Sequence, residues 1–207
     1  MKITRLLIIV VCCGMVAALM GCVTQEAEVS PKEKLIIRVS ADYPYYPNVD
    51  ALTEKADLIV KGTVMDSRVE EIDTRIKTSE ENKNLNPGGK TSSTNFLYTV
   101  YTIDVSDSYK GDVEPGETIE IKEIGGESDT TTCIAGETVK FAKNKEYVMF
   151  LSTYESDVPP SLLNPIQSAY NYKEEAANKG KLLSVNEKND LALTIEGLEE
   201  IKNKNKK

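Results

Sequence analysis

Asn95-Phe96-Leu97-Tyr98-Thr99-Val100-Tyr101-Thr102-Ile103-Asp104-Val105 is the stretch that decides the fold. It is rich in β-branched and aromatic residues, which fit a pleated, half-buried surface, so it reads as a strand. The strand ends in a turn around Lys110-Gly111-Asp112, and a second turn at Pro115-Gly116 leads into Thr118 to Ile124. That segment alternates polar and apolar residues, as a strand with one buried face does, until Gly125-Gly126 stops it. Tyr147-Val148-Met149-Phe150-Leu151, within Glu146 to Thr153, is apolar almost throughout and reads as a strand buried on both faces.

Upstream, Leu58 to Val64 reads as a strand in which Gly62 marks a bulge or the close approach of another backbone. Before it, Asn48 can cap a helix whose Val49, Leu52 and Ala56 share one face. Leu35 to Val39 is a short apolar run, and the prolines of Asp42-Tyr43-Pro44-Tyr45-Tyr46-Pro47 forbid a regular helix there. Residues 71 to 94, rich in Asn, Ser, Lys and Gly, offer little to bury and are expected to form a mobile loop. Downstream, Pro159-Pro160 breaks the chain, and a weaker strand pair is expected within Ala169 to Tyr172 and Lys181 to Val185. Thr194 can cap a final helix using Ile195, Leu198 and Ile201, with Lys202 onward a solvated tail. The expectation is a mainly β fold: one barrel domain over residues 35–202, with flanking N- and C-terminal helices and a basic tail at 203–207.

Ala56-Asp57-Leu58-Ile59-Val60-Lys61-Gly62-Thr63-Val64, then Tyr98 to Val105 with Tyr109-Lys110-Gly111, then Glu146 to Leu151, resembles the pattern of netrin-like and metalloproteinase-inhibitor modules, seen also in secreted bacterial proteins. The resemblance covers roughly residues 50 to 155, a single-domain length. It implies a small five-stranded barrel of the OB type. Those inhibitors are similar in having a disulfide-held N-terminal cysteine whose amine and carbonyl chelate a protease zinc. This chain departs from them, because its corresponding cysteine has another use and no disulfide partner.

That use is legible at the N-terminus. Lys2 and Arg5 precede the apolar stretch Leu6 to Leu19, which is too short and poorly flanked for a stable spanning helix and reads as an export signal. Leu19-Met20-Gly21-Cys22 resembles the lipobox of bacterial lipoproteins, although a small residue is commoner where Met20 stands. The resemblance implies removal of residues 1–21 and a diacylglyceryl group on the Cys22 sulfur, with the amine open to a further acyl chain. Each buried methylene is worth about 0.8 kcal/mol, so two or three chains hold a protein on a bilayer where one lets go. Residues 22–34, polar and charged with one proline, then form a flexible tether. The expected location is the cell membrane, lipid-anchored on the extracytoplasmic side.

Composition excludes several chemistries. The chain has 25 basic and 33 acidic residues, for a net charge of −8, and the signal removes two bases and no acid. A surface this acidic disfavours a phosphate backbone, so no nucleic-acid partner is expected. Of four cysteines, Cys12 and Cys13 leave with the signal and Cys22 carries lipid, which leaves Cys133 without an intrachain partner. For an exported domain, this favours a Gram-positive envelope over a disulfide-forming compartment. There is no histidine, which rules out Ser-His-Asp and Cys-His catalysis and His-ligated zinc. Cys133 therefore reads as a small buried or loop thiol.

Two stretches imitate motifs. Pro87-Gly88-Gly89-Lys90-Thr91 ends like a phosphate loop, but Asn84 stands where the first glycine is needed, and a loop tip is expected instead. Asp107 to Glu114 groups acids near a glycine but lacks the alternating ligands and closing Glu of a calcium loop, so a strand-ending turn is expected.

With an anchor, a tether, a rigid barrel and no assembled catalytic set, the chain is read as a membrane-anchored binding module and not an enzyme, with no cofactor or metal. The candidate ligand surface comprises Tyr98, Tyr101 and Lys90, together with the 71–94 loop, on the sheet face and loops such barrels use. For each tyrosine taken singly a core position is the favoured reading, and packing is favoured over sugar stacking for the Tyr43, Tyr45, Tyr46 cluster. The alternatives are an envelope regulator or inhibitor of another protein, and a carboxylate-based enzyme acting on cell-wall glycan. The latter needs two carboxyls facing across a cleft, and no pair can be nominated from sequence.

Overall fold

The computed structural model describes residues 33–74, 96–154, 157–172 and 180–206. Cys22, the signal, most of the tether, Lys90 and the body of the 71–94 loop lie outside the described residues. Among the described residues the fold is mainly β with two helices. The elements in chain order are β1 (Leu35–Val39), α1 (Val49–Lys55), β2 (Leu58–Ile72), β3 (Phe96–Lys110), β4 (Thr118–Ile124), β5 (Gly126–Glu127), β6 (Thr131–Ala135), β7 (Glu146–Ser152), β8 (Ser161–Leu162), β9 (Ala169–Asn171), β10 (Leu183–Ser184) and α2 (Ile195–Asn205).

The larger sheet has the order β10-β9-β7-β2-β3-β4, with β8 on β7. All its pairs are antiparallel. A smaller sheet, β1-β6-β5, joins β1 in parallel to β6 across a long sequence separation. No ladder closes either sheet on itself, so the described residues form open sheets rather than the expected closed five-stranded barrel. The near-closure lies between β4 and β8, where the Lys122 N–H donates to the Pro160 carbonyl at 2.8 Å. The prolines at 159 and 160 have no N–H to offer a ladder, which is why the contact there stays sparse.

Period-two alternation sorts the side chains of the central sheet into two cores. Tyr147, Met149 and Leu151 of β7 join Val60, Val64, Tyr101, Ile103 and Ile121 on one face. Val148 and Phe150 join Leu52, Ile59, Tyr170, Leu198 and Ile201 on the other, beneath the two helices. β7 is thus buried on both faces, as its unbroken apolar run implies.

Both helix starts follow their caps. The Asn48 side chain accepts from Ala51 N–H and the Thr194 hydroxyl from Gly197 N–H. The final helix runs on through Lys202 to Asn205, and Lys202 is not solvated tail but bonds the Asp107 carboxylate at 2.5 Å. Lys110 points its ammonium at the carbonyls of Thr53 and Glu54, at 2.8 and 3.1 Å, and so caps the C-terminal end of α1. Asp57 accepts from Thr153 N–H at 2.8 Å and ties the start of β2 to the end of β7. The Asp107–Glu114 stretch ends β3 in a turn with Gly111 at φ +94°.

β2 and β3 both outrun their expected limits at Val64 and Val105. They pair in register as far as Ile72 with Phe96, with bulges between Ile59 and Val60, Lys61 and Gly62, and Val64 and Asp66. Charged residues are poor strand formers, but here pairing with β3 satisfies the backbone. Arg68 also braces the ribbon by bonding both Glu120 and Glu70. At Gly62 both expectations meet, since a bulge precedes it and a Cβ there would lie 2.8 Å from the Asp104 carbonyl oxygen.

Candidate binding pocket

The β3–β4 register sets Tyr98 opposite Ile124 and Val100 opposite Lys122, which places Tyr98 diagonally beside Lys122 on one face. Glu123 necessarily faces the other way. Because no ladder among the described residues covers β4 on its far side, a cavity wraps around that edge and both side chains reach it. The cavity holds about 310 Å³ and lies between β4 and the segment that carries β8. Tyr43, from the proline-rich approach to α1, and Tyr154, just after β7, complete an aromatic wall with Tyr98, while Leu162 and Pro165 supply an apolar one.

Lys122 is 3% exposed. Its ammonium donates to the Pro159 carbonyl at 2.6 Å and stands 3.8 Å from the centre of the Tyr154 ring and 6.0 Å from that of Tyr98. Burial disfavours the charged amine and brings its pKa down to about 8, against a partial pull upward from Glu123. Glu123 is 8% exposed. Burial drives its pKa up to about 7, although the backbone N–H groups of Val139 and Leu162, the Thr138 hydroxyl and Lys122 all favour its ionised form. The Leu162 bond makes the Glu123 side chain part of the β4–β8 seam. Around neutral pH an amine and a carboxyl beside one cavity can therefore both change protonation.

The hydroxyls of the wall are close enough to feel this charge. Tyr43 is pushed up by burial first, and then by Glu123, Tyr98 and Tyr154. Tyr154 shares a 2.5 Å hydrogen bond with the Ser161 hydroxyl. Among the described residues no group of three or more His, Cys, Asp or Glu is placed to hold a metal ion.

Of the residues nominated from sequence, Tyr98 lines this pocket and Lys90 lies outside the described residues. Tyr101 points to the opposite face of β3, is 5% exposed and packs edge-on against Phe141, with ring centres 5.2 Å apart. It is a core residue that also borders a second cleft, next to Cys133. Cys133 is buried, and burial raises its thiol pKa, which fits a packing role. The tyrosine cluster divides three ways: Tyr46 is buried, Tyr45 is exposed and Tyr43 joins the pocket.

Lys122, Glu123 and Tyr154 were not singled out from sequence, and Tyr43 entered only in a cluster for which packing was favoured. One signal existed. Ile119 and Ile121 set the inward phase of β4, and Glu123 occupies the next inward position, where an apolar residue is due. Comparison of the chain with models of known families, with curated proteins and with solved structures found no significant match.

Proposed function

We propose that this chain is a lipid-anchored, extracytoplasmic binding module, and that it binds through the pocket at the β4–β8 seam. The observation that carries the reading is a buried ammonium and a buried carboxyl converging on one small cavity behind three tyrosines. Polar groups of this kind are costly to bury, and a small cleft lined by apolar rings with a few convergent polar groups is where a binding site is sought first. The lipobox resemblance at Leu19 to Cys22 supplies the anchor and the side of the membrane.

The finer fold reading, an OB-type barrel like those of netrin-like modules, belongs to the same proposal. In its favour, β4, β3, β2 and β7 run side by side, and β8 is joined to β7 by a ladder and to β4 by the Lys122–Pro160 bond. The Glu123 carboxylate adds a second tie across that seam by accepting from Leu162. The pocket lies at the one place where this cylinder would be incomplete.

The test is photo-crosslinking in intact cells, followed by mass spectrometry of what the full chain captures, with Val158→Trp introduced at the pocket lining. Capture that is reproducible in the parent chain and lost in Val158→Trp is expected. Equal capture by both would refute the pocket as the binding site. For the anchor, Cys22→Ala should remain unprocessed and lack the thioether lipid, and normal maturation of that variant would overturn it.

A further inference from the structure

We propose that the seam pocket receives a small organic monocarboxylate, its anionic group on the Lys122 ammonium and its flat body between the tyrosine wall and Leu162 with Pro165. This deepens the binding-module reading and rests on it.

Charge decides the sign of the ligand. Lys122 has one hydrogen-bond acceptor among the described residues, the Pro159 carbonyl, although an ammonium carries three donors. Its neighbour Glu123 does not satisfy it. No ion pair joins the two, and the carboxyl is engaged instead with Val139, Leu162 and Thr138. Among the described residues the ammonium is thus buried without an anion in contact, a condition that a bound carboxylate relieves through charge-assisted hydrogen bonds.

A cation is the competing ligand, because three tyrosines and a carboxyl are the parts of an aromatic cage. Here the Lys122 ammonium already occupies the Tyr154 face at 3.8 Å, so a second cation would meet it at close range. A dianion such as a phosphate monoester is also poorly served. Among the described residues Lys122 is the one cation in the lining, and the remaining polar side chains there are hydroxyls, apart from Glu123 itself. One positive charge backed by neutral hydroxyl donors matches a single carboxylate.

Size and shape narrow the class further. A volume of about 310 Å³ is at the small end for ligand pockets and suits a molecule built on a single ring. Tyrosine rings, with Ile124, Val158, Leu162 and Pro165, favour a planar or compact apolar body over a polyhydroxylated one.

The test uses the full chain in non-ionic detergent, with its tyrosines replaced by 3-fluorotyrosine and the signals of Tyr43, Tyr98 and Tyr154 assigned by single substitution. Titrations by fluorine NMR compare benzoate, benzyl alcohol and benzylamine near pH 6, below the Glu123 pKa of about 7 and with Lys122 charged. Benzoate should shift the three assigned signals and bind about tenfold or more tighter than benzyl alcohol, with benzylamine the weakest. Lys122→Met should weaken benzoate by about 10- to 100-fold and benzyl alcohol by no more than about threefold.

Benzylamine or benzyl alcohol binding as tightly as benzoate would overturn the ligand class and leave the pocket standing. If none of the three probes moves any of the three signals, the binding-module reading of this pocket falls with it. Should Lys122→Met fail to fold, the ranking of the three probes on the parent chain decides the proposal by itself.

Discussion

Replacing Glu123 with glutamine should make the protein more stable near neutral pH and leave it unchanged in acid. Glu123 is 8% exposed, and burial raises its carboxyl from 4.5 to about 7 in the fold. Each unit of difference between folded and unfolded states is worth about 1.4 kcal/mol, so ionising this carboxyl in place costs ~3 kcal/mol relative to the unfolded chain. The attraction to Lys122 is already contained in that value. Because the folded pKa is the higher one, the contribution of the protonated group is complete below about pH 4.5 and is lost as pH rises through about 7. Glutamine stays neutral at every pH and keeps an oxygen to accept from Val139 and Leu162.

Urea unfolding of both proteins between about pH 4 and pH 8, followed by circular dichroism, measures the difference, and groups common to both cancel. The two midpoints should nearly coincide at the acid end. Near pH 8 the variant should be higher by roughly 1–3 M urea, which is ~3 kcal/mol divided by a typical slope for a small domain. Parallel pH profiles for the two proteins would refute the argument. They would mean that Glu123 ionises in the fold as easily as in the unfolded chain, and the seam would then not be a desolvated one.

Two further outcomes follow from the sheet itself. Gly62→Ala puts a methyl group 2.8 Å from the Asp104 carbonyl oxygen, a backbone atom that cannot turn aside, and should cost about 1–3 kcal/mol or more. An unchanged melting temperature would show that β2 and β3 do not approach so closely. Lys110→Met removes the ammonium from the last carbonyls of α1 and should lower stability by about 0.3–1 kcal/mol. Amide exchange should then quicken in residues 49–55, and protection equal to the parent would remove Lys110 from that role.

Local patterns in the sequence were enough for the strands and caps whose logic is local. The apolar run at Tyr147 to Leu151 can be satisfied only by burial on both faces, and the structure supplies a core on each side of it. Asn48 and Thr194 announce their helices because a capping side chain acts within three residues. β1 and β6 escape such reading. Their parallel pairing spans nearly a hundred residues, and Leu35 and Ile36 remain exposed, so no alternation records the partner. The lengths of β2 and β3 were likewise hidden, since cross-strand pairing and the Arg68 bridges outweigh the weak propensity of Asp66 to Glu71.

The chain by itself determined its acidic charge, its lack of histidine, the lipobox-like pattern at Leu19 to Cys22 and its mainly β character. These depend on composition and on short-range order, which no folding step alters. Tertiary structure alone decided that Lys122 and Glu123, neighbours pointing to opposite faces of β4, share one cavity with Tyr43, Tyr98 and Tyr154. Two prolines left the edge of β4 without a full partner strand. A carboxylate and an ammonium took up part of that seam in place of a ladder, and the space they left is the pocket.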